Sequence, residues 1–203
     1  MSAPTFSAKD STSPDFWNQR FVQACMPWDK GGVPQAFQNY VHATAATTIL
    51  IPGCGMGYEV AYLAEAGWDV TAIDFSEVAV SSAQAVLGKW ADRVVQADFF
   101  TFVPSASLKV IYERAFLCAL PPKMRPQIVR RWAELLPVGG DLAGFFFFDE
   151  GQKNSPKGPP FGIARSELEQ LLQPYFDLME DQSVSDSIAV FIGKERWQVW
   201  RRR

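Results

Sequence analysis

The 203-residue sequence predicts an α/β fold of Rossmann-like type, a seven-stranded, mostly parallel sheet with a C-terminal antiparallel hairpin and helices on both faces. Three observations carry this. Short apolar runs alternate with helical patterns from residue 47 onward, which implies parallel strands joined by crossover helices. The first run, Thr47-Thr48-Ile49-Leu50-Ile51-Pro52, stops at Gly53-Cys54-Gly55-Met56-Gly57. The next two runs each end in an acid, Asp74 and Asp98, and ligands bind at such strand ends in open α/β sheets.

Residues 1–13 are small and polar and are expected to be disordered or loosely docked. A short helix opens at Pro14, with Trp17 and Phe21 four apart on one face. Residues 27–34 read as a loop by their Pro and Gly content, and a second helix spans 35–42. Strand 47–52 leads to a helix over 57–66 that stops at Gly67. Strand 69–73 precedes Ser76, an N-cap for a helix running to Leu87. Strands follow at 93–97 and 108–112, then a helix over 122–136 and a doubly buried strand at 141–148. The 149–164 loop is long for a compact domain, which suggests a lid or substrate loop. Ser166 is read as the cap of a helix over 167–173. Strands 175–184 and 187–199 reverse tightly at Ser185-Asp186. The expected organisation is a single domain over 14–203 with an N-terminal helical lid, 14–43.

Composition narrows the function classes. A net charge of −3 argues against nucleic-acid partners and an anionic membrane surface. Three scattered cysteines argue against a disulfide framework and for a reducing, cytoplasmic setting. A single histidine, His42, leaves no zinc site, so no metal is expected, and it reads as a surface or capping residue. The longest apolar run, 142–148, is too short to span a bilayer, and the N-terminus lacks the pattern of a signal peptide. The chain is expected to be a monomer or weak homodimer.

The candidate site begins with the glycines. Gly53, Gly55 and Gly57 give Gly-x-Gly-x-Gly, and Tyr58 stands where a dinucleotide fingerprint has its third glycine. That disfavours a NAD-dependent oxidoreductase and suits a nucleoside cofactor without phosphate, such as S-adenosylmethionine. Asp74 is placed to accept ribose hydroxyls, or else serves only as a helix N-terminal carboxylate. Asp98 is placed for an adenine amino group beside Phe99, or else is a plain loop acid.

Eight motifs, in order, resemble the thiopurine S-methyltransferase family over residues 14–200. They are Phe16-Trp17-x-x-Arg20-Phe21, Pro27-Trp28-Asp29-x-Gly31, Pro52-Gly53-Cys54-Gly55-x-Gly57-Tyr58-Glu59, Ile73-Asp74-Phe75-Ser76, Asp98-Phe99-Phe100, Arg114-Ala115, Ala119-Leu120-Pro121-Pro122-x-Met124-Arg125 and Gly158-Pro159-Pro160-Phe161. The Pro-Trp-Asp and Pro-Gly-Cys-Gly elements resemble the halide/thiol methyltransferase branch, whereas Arg114 matches the thiopurine branch. The resemblance implies a class I methyltransferase fold. It implies cofactor contacts at Trp17, Phe21, Trp28, Gly53, Gly55, Asp74, Asp98, Phe99 and Arg114, and methyl transfer to a small soft acceptor such as a thiol, hydrosulfide or halide.

Aromatics at 17, 21 and 28 could cover a sulfonium, or simply pack in the core. Direct displacement by a soft nucleophile needs no protein base, so no catalytic residue is assigned. Arg114, with Asp29 or Glu59, is read as activating a thiol or pairing an anionic acceptor, with a structural ion pair as the competing role. Cys54 and Cys118 are read as packing residues. Phe161 is read as a wall of the acceptor pocket. An oxygen, nitrogen, selenium or tellurium acceptor remains open, as does a cofactor-binding protein without turnover.

Overall fold

The computed structural model describes residues 4–150 and 158–203. Its seven strands are β1 (Thr48–Pro52), β2 (Asp69–Asp74), β3 (Val94–Gln96), β4 (Val110–Arg114), β5 (Asp141–Phe147), β6 (Phe176–Ser183) and β7 (Glu195–Arg202). They form one sheet in the order β3-β2-β1-β4-β5-β7-β6. The first five strands pair in parallel, and β7 runs antiparallel to both β5 and β6. The order reverses between β1 and β4, where two outgoing loops diverge and leave a crevice.

The helices are α1 (Pro14–Val22), α2 (Gln35–Ala43), α3 (Tyr58–Glu65), α4 (Glu77–Leu87), α5 (Arg125–Leu135) and α6 (Arg165–Leu172). Alternating strand residues divide the core in two. Ile49, Ile51, Val70, Ala72 and Tyr112 pack with Phe37 of α2, Val60 and Leu63 of α3 and Val80 of α4. Leu50, Ile111, Leu142 and Trp200 pack with Ile128 and Trp132 of α5 and Leu168 of α6. Each such buried side chain stabilises the fold by about 1.5–3 kcal/mol. The strand β5 is buried along its whole length, as expected for a central strand covered on both faces.

Local signals explain most boundaries. At the end of α3, Gly67 adopts φ +81°, and Trp68 N–H donates to Leu63 O, closing the last turn. Ser76 caps α4, its Oγ accepting from Ala79 N–H at 3.1 Å.

Four expectations are corrected. The helix expected from 122 opens as a 3-10 turn over Pro122–Met124, and the α-helix begins at Arg125. Pro126 has no N–H to offer there. Ser166 is not a cap: α6 starts at Arg165, whose N–H is taken by Glu150 Oε1 at 2.8 Å. The final strands are not joined by a two-residue reversal, because residues 184–194 separate them and include a 3-10 turn at Ala189–Phe191. Strand 93–97 is only three residues long, since the 3-10 turn Gly88–Arg93 runs up to it.

Residues 4–13 run back over α1. Ser7 and Ala8 N–H groups donate to Gln19 Oε1, and Trp17 Nε1 donates to Ser11 O at 2.9 Å. The part of the 149–164 loop at 151–157, and residues 1–3, lie outside the described residues.

Candidate active site

A cavity of about 520 Å³ opens at the C-terminal ends of β1 to β4. Its floor is the loop after β1. Gly53, Gly55 and Gly57 have φ values of +64°, +53° and +69°, so the chain turns sharply in a region where side chains are strained. A Cβ on Gly53 would stand 2.8 Å from Phe116 Cδ2, so this glycine is required by space as well as conformation.

Asp74 ends β2 and is buried. Its Oδ2 accepts from Gly55 N–H at 3.1 Å and its Oδ1 from Ser76 N–H at 2.9 Å. One carboxylate thereby fixes both the glycine loop and the start of α4. Burial pushes its pKa up to about 6, against the opposing effect of those N–H donors. Each oxygen retains a lone pair for a further donor, and Asp74 lines the cavity. Asp98, exposed after β3, uses Oδ1 to accept from Phe100 N–H at 2.8 Å. Phe99 is buried edge-on to Phe100 and Phe116, with centroids 5.4 and 5.0 Å apart.

The roof comes from the N-terminal residues. Trp17 stands edge-on to Trp28 at 5.4 Å, and Phe21 to the same indole at 6.4 Å. Phe21 Cζ lies 3.6 Å from where a Gly55 Cβ would be, so this ring overhangs the glycine loop. Asn18 ties the roof down: its Oδ1 accepts from Ser76 Oγ at 2.6 Å. Arg20 stacks on Phe16 and Phe6, 3.3 and 4.3 Å from their centroids.

Arg114, the last residue of β4, borders the main cavity and a smaller one of about 70 Å³ behind the glycine loop. Its Nη1 pairs with Glu195 Oε1 at 2.5 Å, and its guanidinium lies 4.6 Å from the Phe145 ring centroid. Nη2 is buried with no hydrogen-bond partner among the described residues. Burial lowers the Arg114 pKa, but Tyr112, Glu195, Glu59 and Glu113 outweigh it, and the group stays firmly charged. Glu59 is buried and accepts from Tyr112 OH at 3.3 Å, and Tyr58 OH donates to Asp29 at 3.0 Å.

The chain turns hard after Arg114, with Ala115 at φ +57°. Glu113 Oε1 accepts from Phe116 and Leu117 N–H at 3.1 and 2.9 Å and holds that turn. Burial pushes Glu113 up to about 8. The turn carries Phe116, Cys118, Ala119 and Leu120 into an apolar wall of the cavity, which Met124, Pro159, Pro160, Val190 and Phe191 complete.

The structure therefore brings Trp17, Phe21, Trp28, Gly53, Gly55, Asp74, Asp98, Phe99 and Arg114 to one cavity. Phe161 does not line it. Its ring is buried while its N–H donates to Cys118 O at 2.7 Å, and Pro159 and Pro160 form the wall instead. His42 is exposed on α2 and bonds Tyr62 OH at 3.1 Å, in keeping with a surface role. Sequence reasoning missed Glu195, Phe116 and Phe191. Only the sequence separation of 81 residues between Arg114 and Glu195 hid that pair, since strand pairing brings them together.

The cavity's features fit a nucleoside carrying a charged amino-acid arm. A glycine floor admits close approach, two carboxylates offer lone pairs, and a buried guanidinium keeps one nitrogen unpaired.

Comparison with known proteins agrees. The model of the family "Thiopurine S-methyltransferase (TPMT)" matches residues 12–203. Thiocyanate methyltransferase 1 of Brassica oleracea is 29% identical over 196 residues, covering 92% of this chain and 84% of that protein. Thiopurine S-methyltransferase of Shewanella sp. (strain ANA-3) is 28% identical over 204 residues, covering 90% and 93%. In fold, the chain resembles 1,6-didemethyltoxoflavin-N1-methyltransferase of Burkholderia thailandensis, solved with bound 1,6-didemethyltoxoflavin and S-adenosylhomocysteine. The TM-score is 0.77 at 20% identity, covering 100% of this chain and 93% of that one. The chain belongs to the thiopurine S-methyltransferase family and is a methyltransferase dependent on S-adenosylmethionine.

Proposed function

We propose that the protein methylates the sulfur of a small apolar thiol, of aromatic or heterocyclic type, by direct displacement. The observation that carries this reading is the mixed polar and apolar lining of the main cavity. Asp74, Asp98 and the glycines supply its polar lining, and Phe116, Leu120, Met124, Pro159, Pro160 and Phe191 its apolar lining, with Phe116 directly beside Gly53. The printed names of relatives, a thiopurine and a thiocyanate methyltransferase, support a sulfur acceptor.

S-adenosylmethionine, when bound, supplies a methyl group on a positively charged sulfur. The residues in place to hold it are Gly53, Gly55, Asp74, Asp98, Phe99 and Arg114, roofed by Trp17, Phe21 and Trp28. The chain contributes alignment and dryness. Aromatic rings above and an apolar wall beyond exclude water, which strips solvation from a thiolate and raises its nucleophilicity. Arg114 holds positive charge at the cavity edge. That favours the thiolate over the thiol.

The N-terminal segment 14–43 acts in this reading as a lid over a single domain, 14–203. The acceptor is a small molecule, with neither nucleic acid nor membrane as partner. Among the described residues no helix is long and apolar enough to cross a membrane. Cytoplasmic location and a monomeric or weakly dimeric state complete the proposal, and three free cysteines support a reducing compartment.

The test compares kcat/KM for thiophenol and 6-mercaptopurine with that for thiocyanate and iodide. The reading expects the ring thiols to lead by about tenfold or more, since one well-buried ring is worth at least that in affinity. A lead for the inorganic anions would contradict it.

A further inference from the structure

We propose that Arg125 is a positioning residue for the acceptor: it fixes the Pro159–Gly162 segment in the apolar wall of the cavity and so sets which acceptors fit. This rests on the reading of the cavity given above.

Arg125 opens α5 and is only 3% exposed. Its Nη1 donates to both oxygens of Glu167 on α6, at 2.9 and 3.0 Å. Its Nη2 donates to Phe161 O at 3.2 Å and to Gly162 O at 2.6 Å. One planar fork therefore grips an ion partner and two successive backbone carbonyls, an arrangement an ammonium cannot copy. Glu167 supplies the opposite charge that a buried guanidinium requires.

The segment it grips has few other ways to sit. Phe161 N–H donates to Cys118 O at 2.7 Å, and Ile163 bridges Phe148 in parallel, its N–H reaching Phe147 O at 3.2 Å. Gly162 packs so closely on Asp149 that a side chain there would collide with it. These anchors fix the return path of the chain, and Arg125 fixes the two carbonyls between them.

The geometry places this clamp at the acceptor end alone. Met124, immediately before Arg125, and Pro159 and Pro160, immediately before the gripped carbonyls, all line the cavity. None of the hydrogen bonds of Arg125 reaches Gly53, Asp74 or Asp98. A change at Arg125 therefore moves the acceptor wall from both sides and leaves the adenosine end in place.

The test uses the full chain with Arg125→Gln, Arg125→Lys and Glu167→Gln. Acceptor KM in Arg125→Gln is expected to rise about tenfold, with the Kd of S-adenosylhomocysteine by calorimetry within about twofold of wild type. Arg125→Lys should fall between, and amide exchange over 158–163 should quicken. Acceptor KM within about twofold of wild type, or equal shifts in KM and Kd, would overturn the proposal. If Arg125→Gln does not fold, Glu167→Gln decides by the same split at about threefold, because it keeps both carbonyl bonds. If wild type turns over no thiol, the sulfur reading falls. Amide exchange and the S-adenosylhomocysteine Kd then judge the clamp, and unchanged exchange overturns it.

Discussion

Arg114 at the end of β4 is held by Glu195 at the start of β7, 2.5 Å apart with side chains 13% and 3% exposed. The pair spans β5, whose Phe145 and Phe147 stand opposite Arg114 and Glu195 in the register. Ser187 Oγ donates to the other Glu195 oxygen at 2.8 Å, and Asp186 beside it pairs with Lys30 of the loop after α1 at 3.0 Å. The cation at the cavity edge is thus positioned by the same connection that holds the loop after α1.

Removing Glu195 should be costly. Glu195→Ala leaves Arg114 charged, buried and without its counter-ion, a change worth about 3–5 kcal/mol. Urea unfolding at pH 7 measures it. A loss of under about 1 kcal/mol would mean that the pair is no better than an exposed one.

Gly53 should tolerate no side chain. Gly53→Ala meets Phe116 at 2.8 Å and forces φ +64° on an alanine. The left-handed strain alone costs about 1–2 kcal/mol. The expected outcome is at least a tenfold rise in the Kd of S-adenosylhomocysteine, or about 1.4 kcal/mol, by calorimetry. Gly31, with open space around it, is the matched control.

Asp74 should give cofactor binding a pH dependence. Its pKa in the fold is about 6, above the ordinary 3.8. A raised carboxyl pKa favours the folded state at low pH. That contribution is whole below 3.8 and is lost as pH rises through about 6. If Asp74 holds ribose hydroxyls, as proposed, binding has the opposite sign, since they donate more strongly to the carboxylate than to the acid. Affinity for S-adenosylhomocysteine should therefore fall as pH drops through about 6, and Asp74→Asn should bind weakly at every pH.

Cys54 and Cys118 should be silent toward alkylation. Burial pushes both thiols up, Cys118 further beside Glu113 and Cys54 beside Asp74, so neither forms a thiolate at neutral pH. Mass mapping after iodoacetamide should find both unmodified in the native protein and modified in denaturant.

The sequence made the cofactor end readable because the signals there are local. An apolar run ending in glycines, and two runs followed by Asp74 and Asp98, encode strand ends to within two residues together with polar groups that line one cavity. The acceptor end was not readable in that way. Ser185-Asp186 has turn composition, yet Asp186 is recruited by Lys30 and by Gln35 N–H, and the reversal becomes a long connection. Glu195 and Phe191 reach the site only through the β5–β7 pairing, which no local pattern states. Phe161 looked like a wall because of its motif, but Arg125 and Cys118 hold its backbone, and its side chain is buried outside the cavity lining.

The most direct test of the central claim is where the methyl group goes. The protein is incubated with methyl-labelled S-adenosylmethionine and 6-mercaptopurine, and the product is resolved by mass spectrometry and carbon NMR. The account predicts S-adenosylhomocysteine and an S-methyl product in equal amounts. A label found on nitrogen, or bound cofactor with no transfer to any thiol offered, would contradict it.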